Sequence, residues 1–300
     1  MNATTDPQRG LLLRILRFPL TRLALLYALL SYQYLAGYFF RTSMTHGSLQ
    51  AVAATLMMAV LLLGSYAVFV WLVERRPASE LALPRMGREL GLGVLLGAGL
   101  YTAVVLVLIV LGVYRIEGLN DWRVLPTGIA VAISAGVYEE LLFRAGVFRI
   151  AEEVFGSWVA LIISSVLFGF LHISTEGATL QGAVSIALWA GVLLAAPLML
   201  TGRLWIGIGL HMAWNYTQGT VFSGVVSGNA GTGQGLVKAT IEGPEWLTGG
   251  TFGFEASLVT LFVGGTAGAV MLAIAIRRGR IVPPFWKRAA TPTAPARAPG

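Results

Sequence analysis

Eight stretches of about 20 apolar residues succeed one another along this chain, separated by short polar or basic segments. They lie near 20–40, 50–73, 91–113, 124–147, 156–174, 180–200, 204–226 and 255–276. A stretch of that length crosses the hydrocarbon core of a bilayer as one α-helix. Water is absent there, so every backbone N–H and C=O must be satisfied within the fold, and open strands are excluded. The pattern predicts an all-α fold, a polytopic membrane helical bundle of about eight transmembrane helices. Composition agrees, because only 12% of the residues are charged, against about 25% in a soluble domain. The third, fourth and seventh stretches are rich in glycine, which lets helices approach closely in lipid.

The basic residues orient the bundle. With the N-terminus in the cytoplasm, only Arg41, Arg115, Arg123 and Lys238 fall on the far side, and the other seventeen of 21 Lys and Arg fall on the near side. That bias predicts a multi-pass protein of the inner (plasma) membrane with both termini cytoplasmic. The net charge of +7 is therefore read as membrane orientation. Membrane lipid is the expected partner and nucleic acid is not, since the charges sit between spans rather than on one soluble face. There is no cysteine, which excludes disulfides, a thiol nucleophile and a Cys-based metal site.

Three segments follow from this reading. Residues 1–19 form a cytoplasmic N-terminal segment, and 11–22 could lie in the membrane interface as an amphipathic run. The basic region extends to Arg22 without a small-residue cleavage site after it, which argues against a cleaved signal peptide. Residues 20–280 form one transmembrane domain, with its motifs in 124–220. Residues 281–300 are a basic, Pro/Ala-rich tail, expected to be disordered. The long Gly-rich loop over 227–254 reads as turns on the far face.

Against that apolar background the polar residues inside spans stand out. A charged side chain at mid-bilayer costs roughly 2.5–3.5 kcal/mol on insertion scales. The fourth span nevertheless holds Glu139, Glu140 and Arg144, the fifth His172, and the seventh His211 and Asn215. Glu140 and Arg144 are four residues apart, a spacing that suits a helical ion pair. Glu139 projects about 100° away on the same helix, towards the bundle interior. His211 and Asn215 share one helical face, as do Phe168 and His172. Each has a structural reading: a Glu–Arg pair can brace a helix, His and Asn can bond between helices, and Phe168 can simply pack. One buried polar site accounts for all of them together. His46 lies in a short polar loop and is given no catalytic role.

A carboxylate base, two imidazoles and an amide suit activation of water and stabilisation of an oxyanion, the requirements of peptide hydrolysis. Ser134, Ser164 and Ser165 lie in spans but lack a Gly-x-Ser-x-Gly or Ser/Lys setting. No cofactor is required by this chemistry. Zinc is the alternative, because Glu139, His172 and His211 could ligate it and leave one position open. Against zinc, His-Glu-x-x-His is absent and the three ligands would come from three helices.

The motifs Glu139-Glu140-Leu-Leu-Phe-Arg144, Phe168-Gly-Phe-Leu-His172 and His211-Met-Ala-Trp-Asn215 occur in that order, with Thr201-Gly-Arg-Leu-Trp205 before the last. In this the chain resembles the CAAX-protease and bacteriocin-processing family of intramembrane endopeptidases. The resemblance covers about residues 124–220. It implies that Glu139 activates water with help from His172, that His211 and Asn215 hold the oxyanion, and that Glu140 and Arg144 support the site. It also implies a membrane-associated peptide substrate, lipidated or CAAX-like in some relatives, and a cavity open to the cytoplasm. Two other readings are a non-catalytic scaffold or immunity protein and, less well supported, a proton-coupled transporter, which would show inverted repeats that are not found. Oligomeric state is left open. On straight helices His172 would lie about 24 Å into its span and His211 about 10 Å from the same side, so the helices are expected to tilt, start at different depths or break.

Overall fold

A serine or threonine precedes three of the helices and caps each in the same way. Ser48, Thr179 and Ser257 accept hydrogen bonds from the backbone N–H of Ala51, Gly182 and Thr260, satisfying donors that the first helical turn leaves free. The computed structural model describes residues 7–45 and 47–288. His46, residues 1–6 of the N-terminal segment and residues 289–300 of the tail lie outside the described residues. In chain order the elements are α1 (Pro7–Arg17), α2 (Pro19–Thr42), α3 (Leu49–Phe69), α4 (Met86–Val110), β1 (Tyr114–Leu119), α5 (Leu125–Glu139), α6 (Arg149–Leu171), α7 (Leu180–Thr201), α8 (Trp205–Tyr216), β2 (Val237–Ile241), the short α9 (Glu245–Thr248) and α10 (Leu258–Arg277). Wide π turns over Glu140–Phe148 join α5 to α6, and others over Thr217–Val221 extend α8.

The molecule is a polytopic helical bundle. Among the described residues six helical stretches are long and apolar enough to cross a membrane, where eight were expected. The difference has two causes. The fourth and fifth spans are continuous in one helical run, Trp122–Ser174, and the seventh is the shorter α8 with its π extension. The continuous run doubles back at Gly156, whose φ of 77° breaks the helix. Ser164 Oγ then donates to Phe143 O at 3.2 Å, and the Phe143 and Phe168 rings meet edge to face with centroids 5.1 Å apart. Residues 281–288 run beside this turn, where the Ser157 N–H donates to Val282 O at 2.9 Å and the Val282 N–H to Ser157 Oγ at 2.8 Å. Glycine also brings α4 onto α8: a Cβ on Gly97 would stand 2.2 Å from Leu210 O, so only a bare backbone allows that approach.

The two ends of the bundle differ. At one end carboxylates tie the basic residues together. Arg149 pairs with Glu74 and Glu153 at 2.7 Å each, Arg22 with Glu153 at 2.6 Å, and Arg76 with Glu74 and Glu80 at 2.8 Å. Tyr66 and Arg203 complete the set by bonding Glu80 and Glu89. At the other end a two-stranded antiparallel sheet joins the segment after α4 to the loop after α8, with Tyr114 opposite Ile241 and Leu119 opposite Val237. The sequence pattern gave only turns there. Tyr114 OH donates to Phe222 O at 2.8 Å and fastens the sheet to α8. Between the ends lies an aromatic core in which Trp214 packs on Trp189 and Tyr101, with centroids 4.5 and 5.2 Å away.

Candidate active site

Above that core, a cavity of about 830 Å³ opens at the sheet-bearing end of the bundle. Its floor includes Glu139, Leu210 and His211, and its mouth includes Arg41, Thr127, Ser174 and Asn229. The helical offset between neighbouring residues separates the two glutamates as expected. Glu139, the last residue of α5, lines the cavity. Glu140, the first residue of the π turn, is fully buried in the bundle. Its neighbour Arg144 is also fully buried, with Nη1 3.2 Å from Glu140 Oε1 and Nη2 donating to Ala190 O at 3.3 Å. The guanidinium also lies over the Phe168 ring, 4.3 Å from its centroid, a cation–π contact in a desolvated setting. Phe168 is therefore more than filler, because it screens one face of a buried cation.

His211 joins the two carboxylates. Its Nδ1 lies 3.0 Å from Glu140 Oε1, and its Nε2 lies 3.6 Å from Glu139 Oε2. An ionised carboxylate only accepts hydrogen bonds, so the ring carries a proton on Nδ1 and turns Nε2 towards Glu139. Asn215, one turn further along α8, lines the same cavity. Among the described residues Glu139 Oε2 has no hydrogen-bond donor, although it is shielded from bulk solvent. A buried acceptor without a donor is rare in folded proteins.

His172 sits where α6 ends. It reaches the cavity, but not as a direct neighbour of Glu139. The Phe168 ring stands between the two imidazoles, with centroids 5.0 Å from His172 and 6.0 Å from His211. His172 Nδ1 donates to Phe168 O at 2.8 Å. A carbonyl only accepts, so in the neutral ring Nε2 keeps its lone pair. The unequal depths read from the sequence are thus met by a site extended along the bundle, with His172 nearer the mouth. Of the serines in the spans, Ser134 and Ser164 donate to backbone carbonyls of Ala130 and Phe143, and the buried Ser165 Oγ has no hydrogen-bonded base beside it among the described residues.

One lining residue had no signal in the sequence. Glu255, in the turn just before α10, faces the same cavity and is buried. Its Oε2 accepts from the Ser227 backbone N–H at 2.6 Å and from Ser227 Oγ at 2.8 Å. Burial pushes its carboxyl up from the usual range, and the hydrogen bonds from Ser227 oppose that shift. A lone glutamate in Phe-Gly-Phe-Glu255-Ala has neither a motif nor a periodic partner.

Among the described residues no group of three or more His, Cys, Asp or Glu side chains is placed to hold a metal ion. The comparisons with known proteins bear on the same segment. Residues 121–217 match the family model described as type II CAAX prenyl endopeptidase Rce1-like. No curated protein matches the chain significantly, and neither does any solved structure.

Proposed function

We propose, with the Rce1-like protease likeness of residues 121–217 as premise, that the chain is an intramembrane endopeptidase that hydrolyses a peptide bond of a membrane-associated substrate. Glu139 takes a proton from water, and the resulting hydroxide attacks the scissile carbonyl carbon. His211 and Asn215 donate to the oxyanion of the tetrahedral intermediate. In this role His211 carries both protons, one held by Glu140 and the other directed into the cavity. The intermediate collapses with cleavage of the C–N bond, and the proton held by Glu139 passes to the leaving amine. His172, with its free Nε2, assists that proton movement from the opposite wall. Arg144 holds Glu140 in place through their buried pair. No step requires a metal. The protein resides in the plasma membrane with both termini in the cytoplasm.

The observation that carries this reading is the unpartnered Glu139 Oε2 facing His211 Nε2 across 3.6 Å, a pair that one water lying beside it in the cavity can bond on both sides. Glu139→Gln keeps the shape and removes the base. The variant should melt like the wild type and release no cleavage fragments when membrane peptides and new C-termini are compared by mass spectrometry. Full cleavage by Glu139→Gln would reject the glutamate mechanism. An in vivo phenotype that survives the substitution would mark a scaffold instead.

A further inference from the structure

The cavity and the ion-paired clusters lie at opposite ends of the bundle. The mouth residues Arg41, Thr127, Ser174 and Asn229 come from the end of α2, the start of α5, the end of α6 and the loop after α8. The sheet lies at this same end, where Gly177 N–H also donates to Gly228 O at 2.8 Å. Arg22, Arg76, Arg149 and Arg203 sit at the other end, with the tail segment beside Gly156. The four basic residues predicted for the far side, Arg41, Arg115, Arg123 and Lys238, all map to the cavity end.

Membrane proteins keep their Lys- and Arg-rich segments in the cytoplasm. We infer that the cavity opens to the non-cytoplasmic face, and that its substrate is a peptide segment presented there by an exported or membrane-anchored protein. The substrate half rests on the endopeptidase reading, whereas the sidedness rests on charge and geometry alone. This orientation is the reverse of the one implied by the family likeness, under which the site would receive cytoplasmic C-termini. The lining near the mouth suits a peptide. Thr127, Ser174, Thr175, Asn229 and Thr232 line the cavity there and already donate to backbone carbonyls, so their side-chain oxygens are left to accept from the N–H groups of an entering main chain.

The absence of cysteine makes the test direct. Ser174→Cys and Asn229→Cys place a single thiol at the mouth, and Ser79→Cys places one at the ion-paired end, all at exposed positions. A membrane-impermeant maleimide applied to intact cells should label the first two, and should label Ser79→Cys only after permeabilisation. The reverse pattern, or labelling of all three from one side, overturns the sidedness. Right-side-out and inverted membrane vesicles carrying the wild-type protein then test the substrate half with an added water-soluble peptide. Cleavage in right-side-out vesicles alone supports it, and cleavage in inverted vesicles alone overturns it. Cleavage in neither overturns the substrate half and the endopeptidase reading together, while the labels still decide which way the cavity faces.

Discussion

Arg144 Nη1 lies 3.2 Å from Glu140 Oε1, and both side chains are closed off from solvent. Removing one partner of such a pair leaves a buried, uncompensated charge, at a penalty of about 3–5 kcal/mol. Arg144→Ala should therefore lower the melting temperature and the yield of folded protein. The double variant Arg144→Ala/Glu140→Gln should recover part of the loss, because no charge is left stranded. Melting curves of both, in the same detergent, check this. Equal instability of the single and double variants would point to the lost stacking on Phe168 as the larger effect.

Gly156 holds the hairpin turn in a conformation that other residues avoid. Its φ is 77°, and a Cβ would lie 2.7 Å from Val282 O. Gly156→Ala should carry backbone strain of about 1–3 kcal/mol, plus a clash with the tail segment. Deleting the chain from residue 281 onward should relieve the clash and leave the strain. Thermal melting of the variant with and without that segment separates the two contributions.

The metal question has a direct measurement. Since the site residues form no ligand group, purified protein should contain no stoichiometric metal by elemental analysis. Activity should survive stripping of trace metal, and add-back should not increase it. About one zinc per chain, lost and restored in step with activity, would overturn the metal-free mechanism.

Glu255 should make stability depend on pH. In the unfolded chain a glutamate titrates near about 4.3, and burial raises the folded value. The folded protein therefore holds this proton to higher pH than the unfolded chain. The stabilisation is complete below the unfolded value and is lost as pH rises through the folded one. Glu255→Gln cannot titrate, so its melting temperature relative to the wild type should climb as pH rises from about 4 to about 8. A constant difference across that range would mean that Glu255 keeps an ordinary affinity for its proton.

Much of the site was legible because helical periodicity is local. The divergence of Glu139 from Glu140, the Glu140–Arg144 pair and the shared face of His211 and Asn215 all follow from spacing along one helix. The contact of His211 with both glutamates does not, since it depends on how closely α8 approaches α5. There, a Cβ on Gly136 would fall 2.4 Å from the Met212 side chain, and nothing in either helix alone sets that distance. Glu255 was invisible for the same reason, because its partner Ser227 is 28 residues away in an irregular loop. The strands were missed because β1 and β2 are short and pair across most of the intervening bundle. The fourth and fifth spans, separate in hydropathy, form one helical run because Gly156 reverses the chain with hardly any loop, and α8 is too short to count as a span by itself.

The charge ties at one end give the bundle an uneven stiffness. Helices joined there by several short ion pairs share a common base. Their opposite ends surround the cavity mouth and are held by the two-stranded sheet and by hydrogen bonds between loops. A chain entering the site can part them without straining the base. Admission and rigidity, usually opposed requirements in a membrane-embedded site, are assigned to opposite ends of the same helices.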